Sequence, residues 1–415
     1  MFSQLSLWLT LFFKVFIIQP MRVGIGVSTE LDHLKAVKEA VEEAIIQIKP
    51  DNIDFALLFT TEEFSHSLVL QTTADLIGRI PLLGSSSSII ISQNGPLKHG
   101  LILVLFKLNE GSYFNAACVK DITINNTLSS GEELGGKLLY GCKNVHRDLG
   151  VIFSNTNTGD YSSLVTGIQE KLGRGFPLVG ASLPKRIDHA ENHLYSGSEI
   201  LNNAVCGVLW GGKLNFSLGI EHGWQPLGKP RYATRTQVDT VNEIDGLPAV
   251  NLYKEYFGKE TLELNRELKR ISVFYPLGIA VSGNKEYLLR SVISIKNDGS
   301  LLFRGEVPEG SMVRLMISSK DSCLAAAAKA AKTALDNARG KKIKFALVLN
   351  SLSRYALLGR QAAQEIRIVR ETLGSDVPFA GIYTSAEQAP LNSANYNLGK
   401  TYFHNNSIAI LTITE

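Results

Sequence analysis

The sequence FALVLNSLSR (residues 345–354) decides the fold, because it joins a buried strand to a polar tip. Its apolar run is typical of a strand covered on both faces, and Asn350 and Ser351 follow at the carboxyl end. A helical stretch comes next, and VPFAGIYTS (residues 377–385) then starts a second short strand with a proline. The pattern predicts a β-α-β unit.

The same pattern occurs twice more in the chain. FALLFTTEEF (residues 55–64) precedes IPLLGSSSS (80–88), and LGVIFSNTN (149–157) precedes FPLVGASLP (176–184). Each second strand reads proline, two mainly apolar residues, glycine and, within the next three residues, serine or threonine. Three copies indicate one repeated building block. We therefore predict an α/β fold, a mixed-sheet two-domain protein built from repeated β-α-β units.

Polar side chains lie at the ends of these predicted strands. In open α/β sheets ligands bind beyond the carboxyl ends of the strands, so these side chains are candidates for ligand binding. The candidates are Ser85, Ser86, Ser154, Asn155, Asn350 and Ser351. The alternative is that they cap the helices that follow.

The composition bounds the class of protein. The 415 residues are 45% hydrophobic, include 36 glycines and carry a formal net charge of +3. These values fit a globular protein of two or three domains and argue against a disordered chain. The basic residues form no dense cluster, so we expect no nucleic-acid partner.

The cysteines are Cys118, Cys142, Cys206 and Cys323, and they form no CxxC motif. Scattered cysteines of this kind favour buried thiols over a disulfide framework or a zinc site. This interpretation predicts a reducing compartment and a cytoplasmic protein.

Residues 1–20 differ from the rest of the chain. The apolar run over residues 7–18 is interrupted by Lys14 and is shorter than the roughly 20 residues of a membrane span. We expect Met21 to be the true start, so that residues 1–20 are not translated. The alternative is a weak membrane anchor or an uncleaved signal.

Local patterns predict further elements. Apolar residues at three- and four-residue spacing predict an amphipathic helix over residues 33–48. The pair Gly211 and Gly212 indicates a hairpin between the strands on either side of it. The alanine-rich segment 323–338 is typical of a helix.

Asp245 and Gly246 indicate a tight turn in the middle of the chain. We expect a helix over residues 248–257 that starts with Pro248, where a missing N–H does no harm. In this interpretation Asp245 accepts hydrogen bonds from the first turn of that helix as a cap.

Motifs of the common enzyme classes are absent from the sequence. It contains no GxSxG elbow, no P-loop and no HExxH motif. His189 and His193 are four residues apart, but their surroundings look like a loop. We therefore predict no metal site and no catalytic residue.

Two segments outside the repeat carry a family resemblance. They are EHGWQPLG (221–228) and VNEIDGLPAVNLYKEYFG (241–258). The positions that match are Gly219, His222, Gly223, Trp224, Pro226, Gly228, Asp245, Gly246, Pro248, Ala249 and Tyr253. In these positions the chain resembles the FIST family, sensory domains found with intracellular signal-transduction proteins.

The C-terminal part adds to the resemblance. LNSLSR (349–354), Gly359, Glu365, GIYTSAE (381–387) and FHN (403–405) are similar to segments of the same family, and LGSSSS resembles its N-terminal motif. The resemblance covers about residues 21–415. It implies a FIST N-terminal domain over residues 21–220 and a FIST C-terminal domain over residues 221–415.

The chain departs from the family pattern at three positions. Ser351 and Ser85 stand where the family has cysteine, and Ala386 stands where it has glycine. We therefore expect no role that requires a thiolate at these positions.

The resemblance implies a stand-alone intracellular sensory protein. Its ligand would be a small polar molecule such as an amino acid or a derivative. Its partner would be a separate effector such as a kinase or a cyclase, because no residues remain for an effector domain. Two alternatives stay open, a haem-based gas sensor with His222 as the ligand and an enzyme that uses Ser351, Arg354 and Glu387. Haem is the one cofactor considered.

The charged candidates for the ligand site are Arg354 and Glu387. Arg354 can pair bidentately with a carboxylate, and Glu387 can take an ammonium group. The alternative is a salt bridge from Arg354 to Glu387 or Glu365 that holds the fold together. His222 and Trp224 are expected to pack against the Asp245 turn as structural residues.

Overall fold

A computed structural model describes residues 21–48, 52–140, 142, 145–156, 161–183, 192–212, 214–281, 286–391 and 399–415. The predictions for residues 1–20 and for His189 lie outside these residues. Among the described residues, no helix is both long and apolar enough to cross a membrane. The fold is α/β with mixed sheets, and it contains three copies of one unit and an inserted domain.

Unit 1 alternates strands and helices. Its elements are β1 (Arg22–Ser28), α1 (His33–Ile48), β2 (Phe55–Thr61), α2 (His66–Ile77), β3 (Leu82–Ser87), the hairpin strands β4 (Ile90–Ser92) and β5 (Gly95–Leu97), and β6 (Leu101–Lys107). β2 and β3 are parallel, and β6 lies antiparallel between β1 and β2. The helix predicted over residues 33–48 is confirmed.

Unit 2 repeats this order. Its elements are β7 (Tyr113–Val119), α3 (Thr127–Leu139), β8 (Arg147–Ser154), α4 (Tyr161–Leu172), β9 (Leu178–Ser182), the hairpin strands β10 (Leu194–Ser196) and β11 (Glu199–Leu201), and β12 (Val205–Gly211). β8 and β9 are parallel, and β12 lies antiparallel between β7 and β8.

Unit 3 begins with β13 (Asn215–Glu221) and resumes after the inserted domain. Its later elements are α8 (Lys320–Asn337), β22 (Ile343–Ser351), α9 (Leu352–Leu358), α10 (Ala362–Leu373), β23 (Phe379–Thr384), the hairpin strands β24 (Ala386–Pro390) and β25 (Thr401–His404), and β26 (Ile408–Thr414). β22 and β23 are parallel, and β26 lies antiparallel between β13 and β22.

The inserted domain lies between β13 and α8. Its elements are β14 (Gln225–Gln237), β15 (Thr240–Ile244), β16 (Leu247–Pro248), α5 (Val250–Phe257), α6 (Thr261–Arg266), α7 (Leu268–Phe274), β17 (Leu277–Val281), β18 (Glu286–Arg290), β19 (Val292–Ile295), β20 (Leu301–Phe303) and β21 (Met312–Ile317). Its strands form an eight-stranded sheet with a core of its own. The division of the whole chain at residues 220 and 221 stays a prediction.

The three units exchange their hairpins. The hairpin of unit 1 extends the sheet of unit 3, that of unit 2 extends the sheet of unit 1, and that of unit 3 extends the sheet of unit 2. Each sheet therefore has six strands, four from one unit and two from a neighbour. The inner faces of all three sheets share one core, in which Phe59 and Phe153 pack at 5.9 Å between ring centroids.

The hairpin predicted at Gly211 and Gly212 is wrong. β12 pairs with β7 and β8, whereas β13 pairs with β26 in a different sheet. Gly212 has a φ of +81° and reverses the chain, but the reversal carries it from unit 2 to unit 3. The sequence marks the turn, while the pairing depends on the neighbouring sheets.

The turn at Asp245 and Gly246 is confirmed, with φ values of +51° and +75°. The predicted helix cap is wrong, because Pro248 lies in β16 and the helix begins at Val250. The Asp245 carboxylate instead accepts hydrogen bonds from the Tyr232 amide and from Arg231, on β14. It therefore fixes the turn to the neighbouring strand.

The prediction of four free thiols is wrong for one pair. Cys118 and Cys206 lie directly opposite each other on β7 and β12 and form a disulfide, whereas Cys142 and Cys323 are free and buried. The two partners are 88 residues apart in sequence, so only the strand pairing brings them together. The cysteine argument for a reducing compartment therefore does not hold, and the cytoplasmic location stays a prediction.

Three glycines occupy equivalent positions in the parallel strand pairs. A Cβ atom on Gly84, Gly180 or Gly381 would lie 1.8, 2.3 or 1.8 Å from the carbonyl oxygen of the paired residue on the neighbouring strand. No side chain fits at such distances, because that oxygen belongs to backbone that cannot move alone. The repeat therefore needs glycine at this position.

We predict that Gly381→Ala lowers the free energy of unfolding by at least about 1–3 kcal/mol, the usual cost of overpacking. The control is Gly136→Ala on α3, where a Cβ would meet no atom within 4 Å. Alanine there is expected to stabilise the helix by up to about 1 kcal/mol. Urea unfolding of both variants measures the difference, and equal stabilities would contradict the steric argument.

Candidate ligand-binding cleft

A cleft of about 400 Å³ lies where unit 3 meets the inserted domain. Both parts of the chain supply its walls. The lining residues are Ile220, Glu221, His222, Trp224, Gln225, Pro226, Glu286, Tyr287, Lys329, Leu391, His404 and Ser407. Clefts of this size between two parts of a protein are typical places for small ligands.

The segment after β13 forms one wall. The Trp224 amide donates to Nδ1 of His222 at 2.9 Å, and the imidazole makes a further hydrogen bond to the backbone of Tyr287 on β18. Trp224 is buried and packs with Cys323, Leu357 and other apolar side chains. The expected packing of Trp224 against the Asp245 turn is therefore wrong, since its cluster joins unit 3 to Leu289 and Met316 of the inserted domain and does not contain the turn.

His404 lies at the end of β25, on the unit 3 side of the cleft. Its Nε2 bonds to the carbonyl oxygen of Ala389 at 3.0 Å, and because a carbonyl only accepts, Nε2 carries the proton. Burial lowers the pKa of His404 to about 4, so the ring is neutral near pH 7. Nδ1 is then an acceptor, and no described residue donates to it.

Among the described residues that line the cleft, three carry charged side chains. Lys329 on α8 forms an ion pair with Glu221 at 2.7 Å, and Glu286 begins β18. Burial raises the pKa of Glu221, with the carboxylate of Glu286 as a smaller contribution in the same direction. The charged side chains that line the cleft are therefore two carboxylates and one ammonium group.

A buried ion pair lies behind the wall that the segment after β13 forms. Arg354 and Glu365 are 0% exposed, and Glu365 also accepts from Asn350 Nδ2 at 2.6 Å. Two further N–H groups of the guanidinium donate to the carbonyl oxygens of His222 at 2.5 Å and Cys323 at 2.7 Å. The ion pair therefore fixes the segment that carries His222, which favours the scaffold alternative for Arg354. Its role in ligand binding stays a prediction.

Glu387 lies behind Ser407, which lines the cleft. One of its carboxyl oxygens accepts from the Thr384 hydroxyl, and the other accepts from the Ser407 amide at 3.2 Å. Burial raises the pKa of Glu387 to about 8, so its carboxyl is mainly protonated at neutral pH. The side chain is 0% exposed, and its role in binding an ammonium group stays a prediction.

The turn between β25 and β26, here called the 405–407 turn, connects the cleft with the inserted domain. The Ser291 amide donates to Asn405 Oδ1 at 3.0 Å, and the Ser291 hydroxyl donates to Asn406 Oδ1 at 2.9 Å. Arg290, the last residue of β18, donates to the carbonyl oxygen of Phe403 at 2.9 Å. The C-terminal end of β18, the strand that supplies Glu286 and Tyr287 to the cleft, is therefore bonded to the 405–407 turn and to the residue Phe403 before it.

The candidates in units 1 and 2 make contacts outside the lining of the cleft. Ser86 Oγ accepts from the His193 amide at 2.8 Å, and Ser154 Oγ bonds to Ser182 Oγ at 3.0 Å. The Asn155 side-chain amide makes hydrogen bonds to three backbone groups, and Ser85 is buried. None of them lines the cleft, and their binding roles stay predictions.

The two alternative functions, a haem-based gas sensor and an enzyme that uses Ser351, gain no support from these contacts. His222 does not fit a haem ligand, because one ring nitrogen accepts from the Trp224 amide and the ring also bonds to the Tyr287 backbone. Ser351 Oγ caps α9 by accepting from the Ser353 amide, and in the described part of the chain no base bonds to it. Metal-ligand clusters of three or more residues are absent from the described residues.

Sequence reasoning missed several residues that line the cleft. Lys329, Glu286 and Tyr287 belong to elements far apart in sequence, and no motif marked them. Glu221 lies in a segment that the family resemblance singled out, and His404 lies in another. Those two segments were therefore the parts of the sequence that could have indicated residues of the cleft.

We predict that Arg354→Met lowers the free energy of unfolding by about 3–5 kcal/mol, because it leaves the buried Glu365 carboxylate unpaired. Arg354→Met combined with Glu365→Met removes both charges and should recover part of the loss. Urea unfolding measures all variants. The matched control is Arg367→Met on α10, an exposed partner of Glu371, with an expected loss below about 1 kcal/mol. Additive losses in the double variant would contradict the pairing.

Glu387 should make stability depend on pH. Its folded pKa of about 8 lies above the ordinary value of 4.5, so the native state retains a proton that the unfolded state releases. The contribution is present below about pH 4.5 and is lost as the pH rises through about 8, by at most about 1.4 kcal/mol per pH unit. Glu387→Gln keeps the neutral form and should flatten this part of the curve.

The measurement is urea unfolding of wild type and Glu387→Gln between pH 5 and 9. His222 and His404 act at lower pH, since their depressed pKa values remove stability as the pH falls below about 6.5. The control is Glu110→Gln, whose side chain is exposed, and it should leave the curve unchanged. Parallel curves for wild type and Glu387→Gln would contradict the prediction.

Comparisons with known proteins cover both halves of the chain. The profile of the FIST N domain matches residues 54–247, and that of the FIST C domain matches residues 249–390. An uncharacterized protein of Methanocaldococcus jannaschii is 24% identical over 286 residues, which are 63% of this chain and 53% of that protein. The chain thus spans about half the length of this curated relative.

Solved structures give weaker similarities. Two cyanuric acid hydrolase structures, one of them from A. caulinodans, have TM-scores of 0.36 and identities of 7% and 9%, over 95% of this chain and 100% of theirs. T. maritima PurL complexed with ATP has a TM-score of 0.23 and 10% identity, over 95% of this chain and 72% of its own. Similarities at this level carry no inference. Because the two domain profiles together match most of the chain, the protein belongs to the FIST family.

Proposed function

We propose that the protein is an intracellular sensor that binds a small polar ligand in the cleft between unit 3 and the inserted domain. It passes the binding event to an effector such as a kinase or a cyclase. Amino acids and their derivatives are the first candidates for the ligand. Membership of a family of sensory domains supports the general role, and the cleft supports this particular site.

The observation that carries the proposal is the composition of the cleft walls. Charged and polar groups line it together with the aromatic side chains of Trp224 and Tyr287, and the buried Arg354–Glu365 pair holds one wall in place. A wall that is fixed before binding loses less entropy when a ligand arrives. The cleft is therefore suited to a small polar molecule.

The signal would travel through the inserted domain. β18 supplies Glu286 and Tyr287 to the cleft, and it ends at Arg290, which bonds to Phe403 beside the 405–407 turn. A ligand that contacts both walls favours one arrangement of the two parts and shifts the population towards it. The effector would recognise that arrangement.

A thermal-shift screen of the full chain against amino acids, their derivatives and haemin tests the proposal. Ligand at about one hundred times its Kd stabilises the native state by about 2.7 kcal/mol, which raises Tm by several degrees. We predict that one class of small polar molecule produces this rise and that Tyr287→Ala abolishes it.

The matched control is Tyr232→Ala, since Tyr232 is 53% exposed on the inserted domain and does not line the cleft. It should keep the full ligand-induced rise. A rise that persists unchanged in Tyr287→Ala would place the ligand elsewhere. A flat response to every compound would count against a small-molecule sensor.

A further inference from the structure

The acceptors and charges of the cleft point to one chemical group in the ligand. We propose that the cleft selects a protonated primary amine, held by the carboxylates of Glu221 and Glu286 and by Nδ1 of His404. This inference rests on the proposed function, because it concerns the ligand of the same cleft. It adds the group that is recognised and the residues that recognise it.

The first argument is the balance of charge. Among the described residues that line the cleft, Glu221 and Glu286 are acidic and only Lys329 is basic. Lys329 is 69% exposed at the side chain, whereas Glu221, its ion-pair partner, is 17% exposed. The ammonium group of Lys329 therefore lies towards solvent, and the carboxylate lies deeper. A cationic ligand gains from this arrangement.

The second argument is independent of the carboxylates and concerns His404. The ring is only 4% exposed, and Nε2 is committed to the carbonyl oxygen of Ala389. Nδ1 keeps a lone pair, and no described residue donates to it. This acceptor lies at the wall of the cleft and can therefore receive a hydrogen bond from a donor of the ligand. An ammonium group has three donors and no acceptor, so it matches this wall.

The third argument is the aromatic lining. Trp224 and Tyr287 flank the same cleft, one from each side of the junction. Aromatic faces attract ammonium groups through the ring quadrupole, and the attraction grows when water is excluded. The rings and the carboxylates therefore favour the same charge. A free carboxylate on the ligand would find Lys329 only at the mouth of the cleft.

Matched sets of three compounds test the proposal on the full chain. The sets are alanine, ethylamine and propionate; leucine, isoamylamine and 4-methylpentanoate; and phenylalanine, 2-phenylethylamine and 3-phenylpropionate. Within a set, the second compound lacks the carboxylate and the third lacks the amine. We expect binding of the amino acid and the amine in at least one set, and none of the acid, by calorimetry and thermal shift.

Variants connect the selection to the residues. Glu286→Gln should weaken amine binding about tenfold or more, the usual effect of losing a charged hydrogen bond. Lys329→Gln should leave amine binding intact or strengthen it, because it removes the competing cation. Glu110→Gln is the control, since Glu110 is exposed and does not line the cleft. All three variants change surface or cleft side chains, and circular dichroism checks their folding.

The outcomes separate this inference from the proposed function. Binding of the acids that Lys329→Gln abolishes would overturn the amine inference while leaving a ligand cleft in place. Equal binding of amine and acid would also overturn it. Binding of no amine in any set overturns it as well, and the wider screen with Tyr287→Ala then decides separately whether the cleft binds another class of molecule.

Discussion

The exchange of hairpins between the three units is the constraint on which the rest of the structure depends. Without a neighbour's hairpin, the short strand of each unit would expose a row of unpaired backbone groups. The exchange satisfies those groups and connects each unit to the next. In unit 3 it has a further effect. β25 belongs to the sheet of unit 2 and β26 to that of unit 3, so the 405–407 turn crosses between them at the cleft.

Burial of ionisable groups around this crossing determines its electrostatic character. Arg354 and Glu365 form a fully buried ion pair, whereas burial raises the pKa of Glu387 to about 8, so that its carboxyl is mainly protonated near pH 7. His404 is likewise buried and neutral. Among the described residues, the charged groups that a ligand in the cleft would meet are the carboxylates of Glu221 and Glu286 and the ammonium group of Lys329. Pairing and proton retention follow from the high cost of a lone charge at low dielectric.

The sequence predicted part of the candidate site. The resemblance pointed to His222, Trp224, Arg354, Glu365 and Glu387, and these residues do lie together, next to the cleft or behind it. Their individual contacts could not be predicted, because the partner of Arg354 depends on distances within the fold. Lys329, Glu286 and Tyr287 come from an inserted domain and a distant helix, so no local pattern marked them. Ser351, at the cysteine position of the family, caps α9.

Local patterns by themselves determined the three strand-helix-strand units and the helix over residues 33–48. Each of these follows from residue types and spacing within one short segment. Only the tertiary structure decided which strands pair. In the fold β13 pairs with β26 rather than with β12, Cys118 forms a disulfide with Cys206, and each hairpin pairs with the sheet of another unit. The physical reason is that hydrophobic spacing shows which face of a strand is buried, whereas pairing uses backbone groups that are the same in every strand.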